Sequence, residues 1–407
     1  MTVSIRPAPG SHRRAAVLRH DNFRLLFFAS VGSGIGNWLA IIALQSDLYN
    51  RTHHSGWWQS GVLAANIVPA IMIGLLFGPL VDRLSRKGLM VASDLGRLGV
   101  FAALPFVEKP AAIVALAAVA VIGGGFFRPA VLAGLPNLVS DEELPDANAL
   151  LQLADWTTTA AGPLLGGVVI AASGPHLAYT LNAVTFAVSA AFVAWIPARL
   201  LQSGRPIGRG HWRDLGAGFR AVFASRTLIT VLVAWTIAQL AFGFVNVSEI
   251  FLARRAYSAG YFGFGVLWAA TGVGLVGGAL TVTRLAQRYT VRSLYPRALL
   301  LLAVGTAGAA AAPTLWIGVV AMIVFGLGNA FAIVQNITLV QRGAADAIRG
   351  RALAAIMSAN FTMMLIAFIG AGPLTNAFGA RVVYVVAAVT FVVAAFVATR
   401  LLPRSAS

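Results

Sequence analysis

The chain has 407 residues, 58% of which are hydrophobic, and its mean hydropathy is +0.81. Only 11% are charged, against roughly a quarter in a soluble domain, so the composition excludes a soluble enzyme and predicts a polytopic helical membrane protein. The net charge is +17, but the cations lie in short segments between apolar runs, which excludes a basic face for nucleic acid. Cysteine is absent, so disulfides and Cys-ligated metal are excluded, and we expect neither a metal nor another cofactor.

Twelve apolar runs are long enough to cross a bilayer. A continuously apolar segment must satisfy its own backbone hydrogen bonds in lipid, which favours helices over strands. We therefore predict an all-α membrane protein with twelve transmembrane helices. In chain order the predicted spans cover 23–46, 60–81, 89–106, 111–133, 153–172, 177–195, 227–251, 262–283, 294–312, 315–339, 352–372 and 382–400.

Lysine and arginine are distributed unevenly among the segments that connect these spans. With both termini cytoplasmic, 25 of the 30 cations lie on the cytoplasmic side and only five lie outside, namely Arg51, Lys109, Arg254, Arg255 and Arg381. This excess predicts a multi-pass protein with both termini in the cytoplasm. Ala, Gly and Arg are abundant and Lys is rare, a composition that indicates a high-GC bacterium. We therefore predict that the protein lies in a bacterial inner membrane.

The longest internal hydrophilic stretch, 196–226, divides the spans into two sets of six. We predict a cytoplasmic tail at 1–22, an N-terminal bundle at 23–195, a cytoplasmic linker at 196–226, a C-terminal bundle at 227–401 and a tail at 402–407. Glycines recur between the two sets at offsets of 203–210 residues, as when Gly61 returns as Gly265. This near-constant spacing predicts duplication of a six-helix unit and hence two pseudo-symmetric bundles.

The segment GPLVDRLSRKGLM, at 78–90, connects the second and third spans. It resembles the loop signature of the major facilitator superfamily, on positions Gly78, Leu80, Asp82, Arg83, Arg86 and Lys87. Ser85 stands where that family usually has glycine. The resemblance extends over nearly the whole chain and implies a transporter fold of two six-helix bundles. We interpret the segment as a gating latch between them, and a simple topogenic basic loop is the alternative.

The third span carries a second pair of charges. Asp94 and Arg97 are three residues apart, hence on one face of a helix, and charges at membrane depth are costly unless they are paired or functional. We predict that they form an ion pair that extends the latch. We call these residues together the latch: Gly78, Asp82, Arg83, Arg86, Lys87, Asp94 and Arg97.

The fifth span contains AGPLLGGVV at 161–169. It resembles the Gly-Pro-x-x-Gly-Gly signature of the export (antiport) branches of the same superfamily, with matches at Gly162, Pro163, Gly166 and Gly167. Thr158 stands where an earlier glycine is usual. The resemblance implies export, and ordinary close packing of membrane helices is the alternative interpretation.

Three further patches, at 22–44, 126–152 and 349–355, are similar to drug and metabolite exporters that include macrolide-efflux and enterobactin-export transporters. The lysophospholipid transporters share a similar loop between the fourth and fifth spans and remain an alternative.

Two acidic residues are candidates for proton coupling, because a carboxyl group at membrane depth is a functional candidate by default. Glu249, near the outer end of the seventh span, is the first, and Asp47, at the outer end of the first span, is the second. The alternative is that Glu249 lies beyond the hydrocarbon and pairs with Arg254 or Arg255.

In the superfamily's architecture, the first, fourth, seventh and tenth helices line a central cavity. Amides, aromatic rings and methionines at helical spacing suit a pocket for a bulky, partly apolar solute, although each amide can instead bond to a neighbouring helix. The predicted cavity residues are Asn37, Ile41, Gln45, Trp235, Gln239, Phe242, Asn246, Gln335, Asn336, Asn360, Phe361 and Met364.

We predict a secondary active transporter, and not an enzyme, that exports an amphiphilic drug or secreted metabolite by alternating access with proton antiport. No phosphate-binding Gly-Lys-Ser/Thr loop for an ATP-driven pump is present. The expected partners are the small-molecule substrate, protons and the lipid bilayer, with the chain as a monomer. The alternatives are a lipid or lysophospholipid translocator and a non-transporting membrane sensor or scaffold.

Overall fold

The computed structural model describes residues 17–72, 84–201 and 211–403, and the long elements in these ranges are helices. The N-terminal helices are α1 (Asp21–Arg51), α2 (Gly56–Met72), α3 (Arg86–Ala103), α4 (Pro110–Gly134), α5 (144–173) and α6 (175–195). The C-terminal helices are α7 (Arg226–Phe251), α8 (Gly260–Ala286), α9 (Val291–Ala311), α10 (Leu315–Gly343), α11 (Asp346–Phe378) and α12 (Ala380–Leu401). Two shorter helices, Ala198–Leu201 and His211–Ala224, lie between the two sets.

A single glycine separates α5 from α6, which otherwise form one helical run, Leu144–Trp195. Gly174 has φ 76° and ψ 178°, a conformation that only glycine adopts without strain. Gly379, between α11 and α12, has φ 81° and ψ 161°. The two glycines are 205 residues apart, so the same reversal occurs at corresponding places in the two halves.

Ten helical runs within the described ranges have the length and apolarity to cross a membrane. The 52-residue run Leu144–Trp195 is about 78 Å of helix, twice what a bilayer needs. The helix α2 has 17 residues and reaches the edge of the described part at Met72. The helical membrane fold is confirmed, while the count of twelve crossings stays a prediction.

Helix packing divides the chain into two similar bundles. In the first, α1 and α3 pack on the α5–α6 run, and α4 packs on α2 and α3. In the second, α7 packs on α11 and α12, α9 packs on α12, and α10 packs on α8 and α9. Among the described residues, the most extensive contacts between the bundles are those of α2 with α11 and of α5 with α8. The pseudo-symmetric arrangement is therefore as predicted, and the domain boundaries at 195 and 227 stay a prediction.

The helices end at two faces of the molecule. We call the face where α1 starts and α4 and α6 end the linker end, because residues 196–226 follow there. The opposite face, where α1 ends and α2 starts, is called the far end. The helix His211–Ala224 packs on α11 at the linker end, where a side chain at Gly218 would meet the backbone of Arg351.

Candidate functional site

The first three latch residues, Gly78, Asp82 and Arg83, lie outside the described residues. Within the described part, the Ser85 hydroxyl accepts a hydrogen bond from the Gly88 amide at 2.8 Å and so caps α3. Arg86 donates to the Ala133 carbonyl at 2.8 Å and Lys87 to the Ala194 carbonyl at 2.5 Å. Both cations therefore bind the carboxyl ends of α4 and α6, where the helix dipole favours positive charge. The gating role of the latch stays a prediction.

Asp94 and Arg97 form an ion pair in the interior of the N-terminal bundle. Asp94 is 0% and Arg97 2% exposed. The Ser189 hydroxyl donates to the second oxygen of Asp94 at 2.7 Å, so the pair connects α3 with α6.

The guanidinium of Arg97 is held on several sides. One of its nitrogens donates to the Ser33 hydroxyl at 3.1 Å and to the Asn37 amide oxygen at 3.3 Å, both on α1. Its Cζ lies 4.2 Å from the ring centre of Phe186 and 5.2 Å from that of Phe127. This network joins α1, α3, α4 and α6 within one bundle.

The Gly-Pro-x-x-Gly-Gly motif of α5 packs against two neighbouring helices, α1 and α8. A side chain at Gly162 would meet Trp38 of α1 at 2.5 Å, and one at Gly166 would meet Ile42 at 3.2 Å. On another side of α5, a side chain at Gly167 would lie 2.9 Å from the Cα of Gly265 on α8. The motif therefore permits close backbone approach both inside its bundle and across to the other bundle.

The two acids considered for proton coupling have different surroundings, although both are buried. Asp47 accepts a bond from Arg51 at 2.6 Å and another from the Tyr179 hydroxyl at 3.1 Å. Glu249 is 2% exposed, and its Oε1 has no hydrogen-bond partner among the described residues. The pairing of Glu249 with Arg254 or Arg255 is absent from the described ion pairs.

The predicted cavity residues are divided between two cavities, one in each bundle. A cavity of about 390 Å³ in the linker half of the C-terminal bundle lies between α7, α10 and α11. Five of the predicted cavity residues line it, namely Trp235, Gln239, Asn336, Asn360 and Phe361. A smaller cavity, about 220 Å³, lies between the first four helices and includes the predicted residues Asn37 and Ile41.

The other predicted cavity residues lie elsewhere. Phe242 packs against Phe325 and Phe391, with ring centres 5.4 Å and 5.2 Å away, because one turn of α7 faces the core of its bundle. Gln45 and Gln335 are each 1% exposed. Met364 lies beside the cavity and accepts a long contact from Gln239 at 3.7 Å, and Asn246 is half-buried outside the cavity lining.

Sequence reasoning overlooked one charge at membrane depth. Arg128 of α4 forms a two-pronged ion pair with Asp155 of α5, with nitrogen–oxygen distances of 2.5 Å and 3.1 Å. Its signal in the sequence is a lone arginine inside an apolar run, immediately before Pro129.

Contacts between the bundles close the far end. The Gly56 amide donates to Asn376 at 2.9 Å and the Gly372 amide to Ser60 at 3.1 Å, which joins α2 to α11. We call the neighbouring ring and cation cluster, which joins α1 to α7 and α8, the far-end seam. It consists of Tyr49, His54, Phe251, Arg254 and Tyr261.

Aromatic and cationic groups alternate in this seam. The ring of Tyr49 lies 5.2 Å from that of Phe251 and 4.3 Å from that of His54. Arg254 lies over the ring of Tyr261 at 4.1 Å. Burial, together with the positive charges of the nearby arginines and of His53, lowers the pKa of His54 from its ordinary value of 6.5.

A family model described as "Major Facilitator Superfamily" matches residues 26–368. The chain belongs to the Major Facilitator Superfamily. The nucleoside transporter NupG has the same fold, with a TM-score of 0.77 at 16% identity, covering 93% of this chain and 98% of that one. A bacterial homologue of the iron transporter ferroportin gives a TM-score of 0.75 at 15% identity, covering 94% and 98%. These two neighbours show the fold of the chain. Its membership of this superfamily of transporters confirms the prediction that it is not an enzyme.

Two curated members of the superfamily are similar over most of the chain. The putative bacilysin exporter BacE of Bacillus subtilis is 27% identical over 340 residues, 81% of this chain and 83% of the relative. The enterobactin exporter EntS of Escherichia coli is 29% identical over 355 residues, 82% and 80% of the two chains. The predicted resemblance to exporters of the Major Facilitator Superfamily is therefore confirmed.

Proposed function

We propose that this chain is a secondary active exporter of an amphiphilic small molecule, either a drug or a secreted metabolite such as a siderophore. The observation that carries the proposal is the 390 Å³ cavity of the C-terminal bundle. Trp235 and Phe361 supply rings there, and Gln239 and Asn360 supply amides. A bulky, partly apolar solute with a few polar groups suits such a lining.

Alternating access is the mechanism that this arrangement supports best. The cavity lies in the linker half, while the contacts of α2 with α11 and the far-end seam join the bundles on the other side of it. A transporter must close one end while the other is open, so the far-end contacts have to part for release. Export is supported by the names of the relatives BacE and EntS and by the α5 motif. The proposed location is a bacterial inner membrane, with the linker end in the cytoplasm.

Glu249 is the first candidate to carry the exchanged proton, and Asp47 is the second. Burying an unpaired carboxylate costs several kcal/mol, so a carboxyl group without a partner is buried most easily as the neutral acid. Asp47 has Arg51 and Tyr179 to compensate its charge, whereas Glu249 Oε1 has no described partner. A proton taken up at Glu249 while the seam beside α7 is open to water would then be carried inward as the seam closes, in exchange for the exported solute.

Inverted membrane vesicles with an imposed pH gradient test both parts of the proposal. Enterobactin, a macrolide and a labelled lysophospholipid serve as probes. We expect gradient-driven uptake of the siderophore or the macrolide, and we expect Glu249→Gln to abolish that dependence on the gradient while the protein stays folded. Glu108→Gln, in the exposed far-end loop, is the matched control and should transport normally.

Three results would contradict parts of this proposal. Uptake that ignores the pH gradient would exclude proton antiport. Uptake of the lysophospholipid alone would replace the proposed exporter with a lipid translocator. Normal coupling in Glu249→Gln would transfer the role to Asp47, for which Asp47→Asn is the corresponding variant.

A further inference from the structure

The Arg128–Asp155 ion pair is partly open to solvent, in contrast to the Asp94–Arg97 pair. Its two side chains are 41% and 40% exposed, although both residues lie within membrane-spanning runs. An ion pair exposed to lipid would be costly, so charges at this depth face either the protein interior or a water-filled cavity. The exposure of this pair therefore indicates contact with water.

The position of Arg128 on α4 indicates which face of the helix this water contacts. It lies four residues after Gly124 and seven after Val121, both of which line the cavity of the N-terminal bundle. Val119 and Ile122, which are exposed apolar residues, lie at least about 120° away around α4. Arg128 thus continues the cavity-lining face of α4 toward the linker end.

A polar stripe on α5 leads to the same pair. Asn148, Gln152, Asp155 and Thr159 follow the spacing i, i+4, i+7 and i+11, which places them on one face. Asn148 and Gln152, the two nearest the linker end, are exposed. The stripe therefore leads from the linker end to Asp155 along one face of α5.

We propose that Arg128 binds a carboxylate or a similar oxyanion of the transported solute. When no solute is bound, the carboxylate of Asp155 binds Arg128 in its place. A guanidinium group binds planar oxyanions through two parallel hydrogen bonds, which is the geometry that Asp155 already shows. A solute carboxylate replaces one ion pair with another of the same kind. This inference names the solute class for the proposed exporter and rests on that function only for the direction of transport.

Arg97 cannot perform this role, although it also borders the N-terminal cavity. Its guanidinium is 2% exposed and is already bonded to Asp94, Ser33 and Asn37. A side chain at Gly124 would lie 3.6 Å from Arg97 Nη1, so Arg97 sits about one turn from Arg128 along α4. The charge of Arg97 is compensated by Asp94, so Arg128 makes the contact with the anion.

Binding of a matched pair of probes tests the proposal. Naphthylacetate and naphthylacetamide share an aromatic body and differ in charge, and their binding to purified protein in lipid nanodiscs is measured by equilibrium dialysis. We expect the acetate to bind about tenfold more tightly, as one charge-assisted contact allows. Arg128→Gln should remove this preference, and Asp155→Asn should strengthen acetate binding without strengthening amide binding.

Two further variants separate binding from folding. Arg128→Lys keeps the positive charge and should retain part of the preference. Arg297→Gln removes an exposed arginine of α9 that bonds Ser293, and it should leave the preference unchanged. Equal binding of the two probes to the unaltered protein, or a preference that survives in folded Arg128→Gln, overturns the inference.

Chemical labelling supplies a readout that is independent of transport. Phenylglyoxal modifies accessible arginines, and mass spectrometry resolves the modified residue. We expect naphthylacetate to protect Arg128 and Asp155→Asn to increase its labelling, whereas unchanged labelling in both experiments contradicts the inference. If the protein prefers the acetate but does not export a solute in vesicles, only the proposed function is overturned. If it exports a solute but does not prefer the acetate, only this inference is overturned.

Discussion

Asp94 and Asp155 each pair with an arginine, yet only Asp94 is withdrawn from water. The Asp94–Arg97 pair is 0% and 2% exposed and is completed by Ser189, Ser33 and Asn37. Removing one partner from such a pair leaves a buried charge without compensation. Asp155 and Arg128 stay solvated when they separate, because each is about 40% exposed.

Replacing these two acids separates the structural pair from the exchangeable one. We expect Asp94→Asn to reduce the free energy of unfolding by about 3–5 kcal/mol, because Arg97 then remains buried without its counter-ion. Asp155→Asn should cost less than about 1 kcal/mol. Reversible unfolding of the detergent-solubilised protein measures both values, and similar losses for the two variants would contradict this division of roles.

Sequence spacing predicted the Asp94–Arg97 pair but not the Arg128–Asp155 pair, for a physical reason. Residues three apart on a helix must share a face, so the first pair follows from local geometry. Arg128 finds its partner 27 residues away on another helix. That contact depends on how α4 and α5 pack, and local spacing contains no information about it.

At the scale of helices, contacts between backbones fix how closely the two bundles approach. A side chain at Gly265 of α8 would lie 2.5 Å from the carbonyl oxygen of Pro163 and 2.7 Å from the Cα of Gly167. Backbone atoms of α5 cannot move aside as a flexible side chain can. The α5–α8 contact is therefore specific to glycine.

Gly265→Ala should consequently shift the protein away from the conformation that is closed at the far end. Spin labels at Trp57→Cys and Phe378→Cys report the distance between α2 and α11, because both positions are exposed and the chain has no other cysteine. We expect a longer distance and slower transport. Gly277→Ala on the same helix meets only a leucine side chain at 3.7 Å and should leave the distance unchanged. An unchanged distance in Gly265→Ala would show that the contact does not limit closure.

Helix boundaries were predicted less well than helix positions. Each predicted span with described residues falls on a helix, but α1, α5 and α11 extend well beyond the apolar runs. The segment 144–152 is helical despite its polar residues, because an interfacial helix keeps its backbone bonds where side chains reach water. Hydropathy locates the part of a helix in lipid, and it does not locate the helix ends.

At the scale of the whole molecule, the far-end seam brings cationic groups of the two bundles together. His54 belongs to the N-terminal bundle, whereas Arg254 and Arg255 belong to the other. Because the pKa of His54 is lowered in this conformation, a proton on His54 disfavours the closed seam. Above about pH 6.5 His54 is neutral, and the closed seam has its full stability. This stability is lost as the pH falls toward the lowered pKa and His54 becomes protonated.

We therefore expect the labelled α2–α11 distance to lengthen as the pH is reduced from about 7 to about 5. His54→Gln should remove the part of this change that begins below 6.5, since glutamine does not titrate. His53→Gln leaves the burial of His54 and both arginines, which lower its pKa more than His53 does, so this variant should keep most of the pH dependence. An identical pH response in His54→Gln would assign the effect to other groups.

The two-bundle fold followed from the sequence because apolar runs fix membrane helices and the glycine offsets revealed a duplication. The division of the cavity did not follow. Phe242 and Trp235 are seven residues apart on α7, yet Trp235 lines the cavity and Phe242 packs in the core. Which parts of one helical face meet a neighbour depends on the tilt and crossing of the helices, which a period cannot supply.

The reversals at Gly174 and Gly379 have a mechanical consequence. Because each turn is made by one residue, the end of α5 stays beside the start of α6, and the end of α11 stays beside the start of α12. The first helix of each hairpin touches the opposing bundle, at Gly167 and at Gly372. A displacement of α5 or α11 at these contacts must therefore also move the adjoining end of α6 or α12.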